Sequence, residues 1–346
     1  MRTTNHAPRL TAVLCGGLIG LAALAAPATA DDFYKDKSIS IVIASAAGGS
    51  YDAYARIIAR NMGRYIPGNP TLVPRNMPGA AGMQATHFIY EAAPKDGTAL
   101  GAPLNTVPMS QLLEPDKVTF NCAELNWIGA VASPANVLAT WYTSGIKTIE
   151  DAQKKEALIG ATTPGTTMEM YPLMANNLFG TKFKVITGYI GGAEINIAME
   201  RGEVQGNCAW GWVPMMATKG DWIRDGKLNV IIQTGMKAAP GHSDVPLALD
   251  LAKTDEEREL MELVFVPLTF ARPFAAPPGV PKERVAALRK AFADTTGDRQ
   301  FLDDADKAQL EIDLVSGEEI DAILARVYKT PQAVIERAKA AMEDPS

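Results

Sequence analysis

A β-branched run that breaks on two glycines and restarts as a helix constrains this chain more than any other stretch. Residues 39–66 begin Ile39-Ser-Ile-Val-Ile43, which suits a buried strand. Gly48 and Gly49 end it, and Ser50 or Asp52 can then cap a helix. In that helix Tyr54, Ile57, Ile58, Met62 and Tyr65 share one face. Arg56, Arg60 and Arg64 lie on the other, four residues apart. Such a unit points backbone N–H groups and a helix N-terminus into the crevice at the carboxyl end of the strand. That place holds an anion without needing a cationic side chain. The bland alternative is an ordinary strand-to-helix turn, where glycine is common for geometric reasons. A second unit of the same kind follows far down the chain. Residues 158–165 read as strand then glycine turn, and Thr166-x-x-Glu169 fits a capping box opening a helix. If both helix N-termini face one cleft, an anion is held from two sides.

Ahead of the first unit, residues 1–30 read as an export leader. Arg2 and Arg9 give a positive start, residues 10–26 are apolar, and Ala28-Thr29-Ala30 is a cleavage site. The expectation is a periplasmic protein, exported across a bacterial inner membrane and cleaved after Ala30. Cys15 lies too early in the apolar run to be a lipidation site. No later stretch is long and apolar enough to span a bilayer. The remaining length suffices for two domains with their own cores. With 33 Lys and Arg against 39 Asp and Glu the chain is acidic, and more so without the leader's arginines, which argues against a nucleic-acid partner.

Chemistry-bearing motifs are scarce. Beyond the leader only His87 and His242 remain, and only Cys122 and Cys208. Export makes a disulfide possible, but sequence shows no proximity; two free buried thiols are the expectation. There is no His/Cys cluster at metal spacing, no G-x-S-x-G elbow, no Walker A lysine and no full dinucleotide fingerprint. These absences leave no cofactor to predict and weaken an enzyme reading. Further along, residues 71–74 predict a strand, 76–82 a second glycine-rich loop, 83–93 a helix and 98–103 a buried strand. Residues 125–131 and 230–234 are apolar strands suited to crossing between two domains. Trp210 and Trp212 line a pocket or belong to a core.

The order of the motifs is more specific than any one of them. Residues 41–52 read Ile-Val-x-x-x-Ala-Ala-Gly-Gly-x-x-Asp; then come Asn76-x-Pro-Gly-Ala-x-Gly and Asp96-Gly-x-x-Leu100. In the second half, Gly160-Ala-Thr-Thr-Pro-Gly165-Thr-Thr, Tyr189-Ile-Gly-Gly-Ala193, Gly202-Glu-Val-Gln205 and Pro278-Gly-Val-Pro281-Lys-Glu-Arg-Val285 follow. This series resembles the tripartite tricarboxylate transporter substrate-binding proteins, the Bug-type receptors, over nearly all of residues 31–342.

The resemblance implies an α/β two-lobe periplasmic binding protein fold, a Venus flytrap, each lobe a mostly parallel sheet flanked by helices. It implies a first lobe of residues 31–132 and 238–346 and a second of 133–237. It also implies a non-enzymatic monomer that captures a small organic acid by lobe closure and delivers it to a membrane permease. The first loop would offer Ser45, Ala47, Gly48, Gly49, Ser50 and Tyr51, with Asn105 and Thr106 beside them. The second lobe would offer Thr163, Gly165, Thr166, Thr167, Tyr189 and Gly192. Asp52 is expected to cap the first helix rather than meet an anion that it would repel. A secreted hydrolase using Asp52 and Glu169, and a periplasmic sensor, stay open as alternatives. Three departures bear on the ligand: Tyr51 stands where small residues are usual, Glu169 where many relatives have His, and Ile190 where Lys or Arg is common. They favour a monocarboxylate with an apolar body over citrate-like acids, unless these side chains point away from the cleft.

Overall fold

The structure, a computed structural model, describes residues 1–3, 33–132, 135–239 and 244–344. The export leader with its cleavage site, and His242, lie outside the described residues.

Among the described residues eleven strands form two sheets. The first holds β1 (Ser38–Ile43), β2 (Thr71–Asn76), β3 (Ala99–Ala102), β4 (Asn126–Ala132), β10 (Ala271–Ala276) and β11 (Val315–Ser316), in the order β11-β4-β10-β3-β1-β2. The second holds β5 (Asn136–Trp141), β6 (Glu156–Gly160), β7 (Lys182–Ile186), β8 (Gly206–Gly211) and β9 (Leu228–Thr234), in the order β7-β6-β8-β5-β9. The continuous apolar run of β1 has its reason here: Ile39, Ile41 and Ile43 are buried on one face and Val42 on the other.

The helices are α1 (Ser50–Met62), α2 (Met83–His87), α3 (Val107–Leu113), α4 (Ile149–Lys154), α5 (Thr167–Phe179), α6 (Gly192–Arg201), α7 (Trp212–Arg224), α8 (Asp255–Phe265), α9 (Lys282–Thr296), α10 (Arg299–Lys307), α11 (Gly317–Val327) and α12 (Gln332–Met342). The two-lobe architecture is as expected: four of the six strands in the first sheet and four of the five in the second run the same way. β1 runs parallel to β2 and β3, and β6 to β7 and β8. β5 and β10 run antiparallel to both of their neighbours. Each of these two enters its sheet from the crossing between lobes. That is the end to which the parallel strands direct their carboxyl termini, so an entering strand must run against them. The first crossing is short: β4 ends at Ala132 and β5 begins at Asn136.

Side chains of α1, α9 and α10 cover one face of the first sheet around Ile57, Phe274, Phe292 and Phe301. In the second lobe α5 packs with α8 and α12, through Tyr171, Phe265 and Ile335. Each large apolar side chain so buried contributes about 1.5–3 kcal/mol. The expected helix over 83–93 is α2 followed by one wider π-type turn, Phe88–Ala92, closed by the Ala93 amide on Phe88 O. Pro94 prevents continuation. Cys122 and Cys208 are free, buried, and in different clusters. Burial pushes both thiols up, Cys122 to about 12. No helix among the described residues is long and apolar enough to cross a membrane.

Candidate functional site

The β1–α1 turn depends on Gly48, whose φ is +82°, a left-handed conformation that favours glycine. Gly49 has an ordinary φ of −79° and stands at the helix N-cap, without a side-chain cap. Ser50 is therefore not the cap. Asp52 supplies the missing order by reaching backward: one carboxylate oxygen accepts the Gly48 amide at 2.9 Å. Its other oxygen accepts Arg56 Nε and Asn76 Nδ2, each at 2.9 Å. Asn76 Nδ2 also donates to Ser45 O, and Arg56 to Asn76 Oδ1, so loop, helix and β2 are tied together. Burial alone would raise the Asp52 pKa. The bonds from Arg56, Gly48 and Asn76 outweigh it and hold the carboxyl at about 2.

The same device recurs twice in the second lobe. The Gly165 amide donates to Glu169 at 2.7 Å before α5, and the Ile190 amide to Glu194 at 2.6 Å before α6. In all three cases the acid is the third helical residue and binds the amide just ahead of the N-cap. The capping box expected at Thr166-x-x-Glu169 does not form. The Thr166 hydroxyl donates instead to Thr163 O at 2.8 Å. One loop amide is thus spent on an internal acid at each site, Gly48 and Gly165 among them. The N-cap residue and the first two helical residues, 49–51, 166–168 and 191–193, keep amides with no acceptor among the described residues.

The first and second of these helix starts converge. Tyr51 donates to Asn105 Oδ1 at 2.8 Å and accepts the Asn105 amide at 3.2 Å; Asn105 Nδ2 donates to Pro267 O at 2.7 Å. Tyr171, in α5, has a buried hydroxyl with no partner. Burial first, then Cys208 and Tyr51, opposes its ionisation. A cavity of about 160 Å³ lies between the starts of α3 and α5, lined by Thr106, Met109, Gly165, Glu169, Met170 and Lys339 among others. A wider groove of about 590 Å³ runs toward the other end of α1, past Arg56, Arg60 and Arg64. There Arg56 is committed to Asp52 and Arg64 to Asp298.

Of the residues singled out from sequence, Ala47, Gly48, Gly49 and Ser50 lie exposed at the loop, with Ser45 half-buried behind them. Tyr51 and Asn105 are bonded to each other, and Thr106 and Gly165 share the cavity. Thr163 is exposed, Thr166 and Thr167 are half-buried at the start of α5, and Tyr189 and Gly192 flank the start of α6. Trp212 is buried in the core cluster of Trp141 and Trp222, and the half-buried Trp210 packs against that cluster. Three residues escaped the sequence reading: Asn76 as the loop tie, the unpartnered Tyr171, and Arg272. Arg272 had a visible signal, being the one charge in the otherwise apolar stretch 264–280.

No family model matches the chain. The "UPF0065 protein in gbd 5'region" of Cupriavidus necator is 26% identical over 331 residues, 92% of each chain. The solved periplasmic binding protein BugD superposes with a TM-score of 0.64 at 20% identity, over 89% of this chain and 98% of that one. The fold is that of the Bug-type periplasmic binding proteins. A Rhodopseudomonas-type neighbour, the R. palustris protein Rpa4515 solved with adipate, gives a TM-score of 0.65 at 17% identity, over 88% of this chain and 98% of its own. The Bug-type fold explains why the free amides sit where they do: in open α/β sheets the crevice lies beyond the carboxyl ends of the strands, where β1 and β6 here turn into α1 and α5.

Proposed function

We propose that this chain is a periplasmic solute-binding protein that captures a small organic acid between its lobes and hands it to a tripartite tricarboxylate-type membrane permease. The observation that carries this reading is the pair of uncapped helix starts at α1 and α5, in a Bug-type fold, each with three amides unspent. Helix N-termini of this kind favour anions. Residues 49–51 receive one end of the acid and residues 166–168 the other, with Asn105 and Thr106 at the side. Lobe closure about the 132–136 crossing brings the two ends together. The lobes comprise 31–132 with 238–346, and 133–237; α8 and α12 brace the second from the first lobe's share of the chain. The protein acts as an exported monomer, without a cofactor.

The hydrolase alternative is disfavoured by Asp52. A general acid needs a proton near neutral pH, whereas Asp52 is held ionised by three donors. A thermal-shift screen tests the reading. A ligand that binds only the folded state at a hundredfold excess over its Kd stabilises by about 2.7 kcal/mol, so at least one acid among mono-, di- and tricarboxylates should raise the Tm by several degrees. A screen in which only neutral sugars or cationic amines shift the Tm refutes it.

A further inference from the structure

Arg272 is held in an unusual way. It lies in β10 with φ +57°, a left-handed backbone that a residue other than glycine enters only at a cost. Its side chain runs to the start of α1. The guanidinium carbon is 5.2 Å from the Tyr51 ring centre and 5.5 Å from that of Tyr54. One terminal nitrogen is 3.4 Å from Ser50 Oγ, a long contact. Nε is buried and bonded to nothing. Among the described residues no carboxylate lies within 4.0 Å of this cation, whereas Arg56 and Arg64 each have one and Arg289 has two. Glu311 is near enough to feel its charge without pairing, and the neighbouring Asp313 faces Lys237 at 4.0 Å. Arg272 is half-buried and its contact with Ser50 is exposed, but the buried Nε–H without an acceptor calls for a reason.

We propose that Arg272 is the cationic anchor for the ligand's carboxylate, gripping it together with the free amides of Ser50 and Tyr51. The planar fork of arginine matches a carboxylate bidentately. The two tyrosine rings hold the guanidinium in place, so little side-chain entropy is lost on binding. The strained backbone fixes the aim of a side chain for which the described residues supply no carboxylate within 4.0 Å. This assignment rests on the carboxylate reading above, and it replaces an all-amide site by one with a formal positive charge.

Calorimetry separates the two. The native protein is titrated with hexanoate, benzoate, adipate, a C4 dicarboxylate and citrate. No binding by any of them overturns the carboxylate reading and this assignment with it. With the tightest binder as probe, Arg272→Gln should weaken affinity at least about thirtyfold. Arg272→Gly relieves the left-handed backbone while deleting the guanidinium, so it should melt no lower than Arg272→Gln and bind as weakly. Arg272→Lys, with charge but no fork, should fall between. Raising ionic strength from about 0.05 to about 0.5 M should weaken native binding and leave the residual binding of the glycine variant nearly flat. A folded Arg272→Gly protein that keeps native affinity and native salt dependence overturns the assignment and leaves the carboxylate reading standing.

Discussion

Replacing Asp52 with Asn keeps the shape of the side chain and removes its charge. The native carboxyl is 4% exposed and accepts the Gly48 amide, Arg56 Nε and Asn76 Nδ2. Its pKa falls from an ordinary 3.8 to about 2. At about 1.4 kcal/mol per tenfold change, that difference is worth about 2 kcal/mol of stability at neutral pH. A folded-state pKa below the unfolded one means that the unfolded chain binds the proton more readily. The contribution is therefore complete above pH 3.8 and lost as the pH falls toward 2. The Asn variant also turns an amide donor toward Gly48 N–H or Arg56, which adds to the loss.

Denaturant titration of both proteins across the acid range reads this directly. The native protein should exceed the variant by about 2 kcal/mol at neutral pH, with the gap closing below pH 3.8. A gap that stays constant with pH would assign the effect to packing rather than charge. No gap at neutral pH would refute the idea that the carboxylate orders the loop.

Further outcomes are expected from the same contacts. Gly48→Ala should cost about 1–2 kcal/mol through its φ of +82°, while Gly49→Ala, whose Cβ would sit 3.5 Å from Ala46 O, should cost a few tenths by melting temperature. Gly49→Val should abolish acid binding with an unchanged circular dichroism spectrum, and unchanged affinity would remove this loop from the site. The Tyr171 hydroxyl is buried without a partner, so Tyr171→Phe should be neutral or stabilising in denaturant titration; a loss above about 1 kcal/mol would mean that the hydroxyl is bonded after all. Both thiols should resist alkylation until the protein unfolds, and the unreduced mass should match two free cysteines.

The parts of the fold that were legible in sequence are those with strong local signals. The Ile39–Ile43 run, the glycines and the amphipathic pattern of α1 each have one good structural solution. Strand direction was not legible in β5 and β10, because it is set by the side from which the chain returns, which leaves no local pattern. In the site, the loop glycines and Asp52 were readable, since turn and cap chemistry depend on near neighbours. The partners of Asp52 were only half readable: Arg56 is one helical turn away, but Asn76 is 24 residues distant. Gly48 and Gly49 are equivalent on paper, and only the structure shows that Gly48 holds the left-handed backbone. Thr166 and Glu169 had the spacing of a capping box, yet each found another backbone partner. Arg272 reaches the loop from 222 residues away, and only its oddity within an apolar strand pointed to it.

The polarity of the two sides of the crevice argues for the kind of acid held. On the first-lobe side stand Arg272 and the unspent amides of α1. On the second-lobe side the loop segments 161–168 and 187–193 contain no Lys or Arg. Two carboxylates, Glu169 and Glu194, are fixed there at the helix starts by the Gly165 and Ile190 amides, which offsets the positive ends of α5 and α6. Ile190 is 89% exposed and presents an apolar side chain. A second carboxylate placed here would meet like charges, at about 1 kcal/mol for a separation of 4 Å in water and more in a drier crevice. The expected ligand therefore has one carboxylate toward Arg272 and an apolar body toward Ile190. Tyr51 does not widen the apolar surface as far as its sequence position suggested, since Asn105 takes its hydroxyl and Arg272 covers its ring. Hexanoate and adipate, equal in length, isolate the far charge. Native protein should bind hexanoate several-fold more tightly, and Ile190→Lys should raise adipate affinity by a similar factor while leaving hexanoate nearly unchanged. Tighter binding of adipate or citrate by the native protein, indifferent to Glu169→Gln, would show that the far side is not the barrier described.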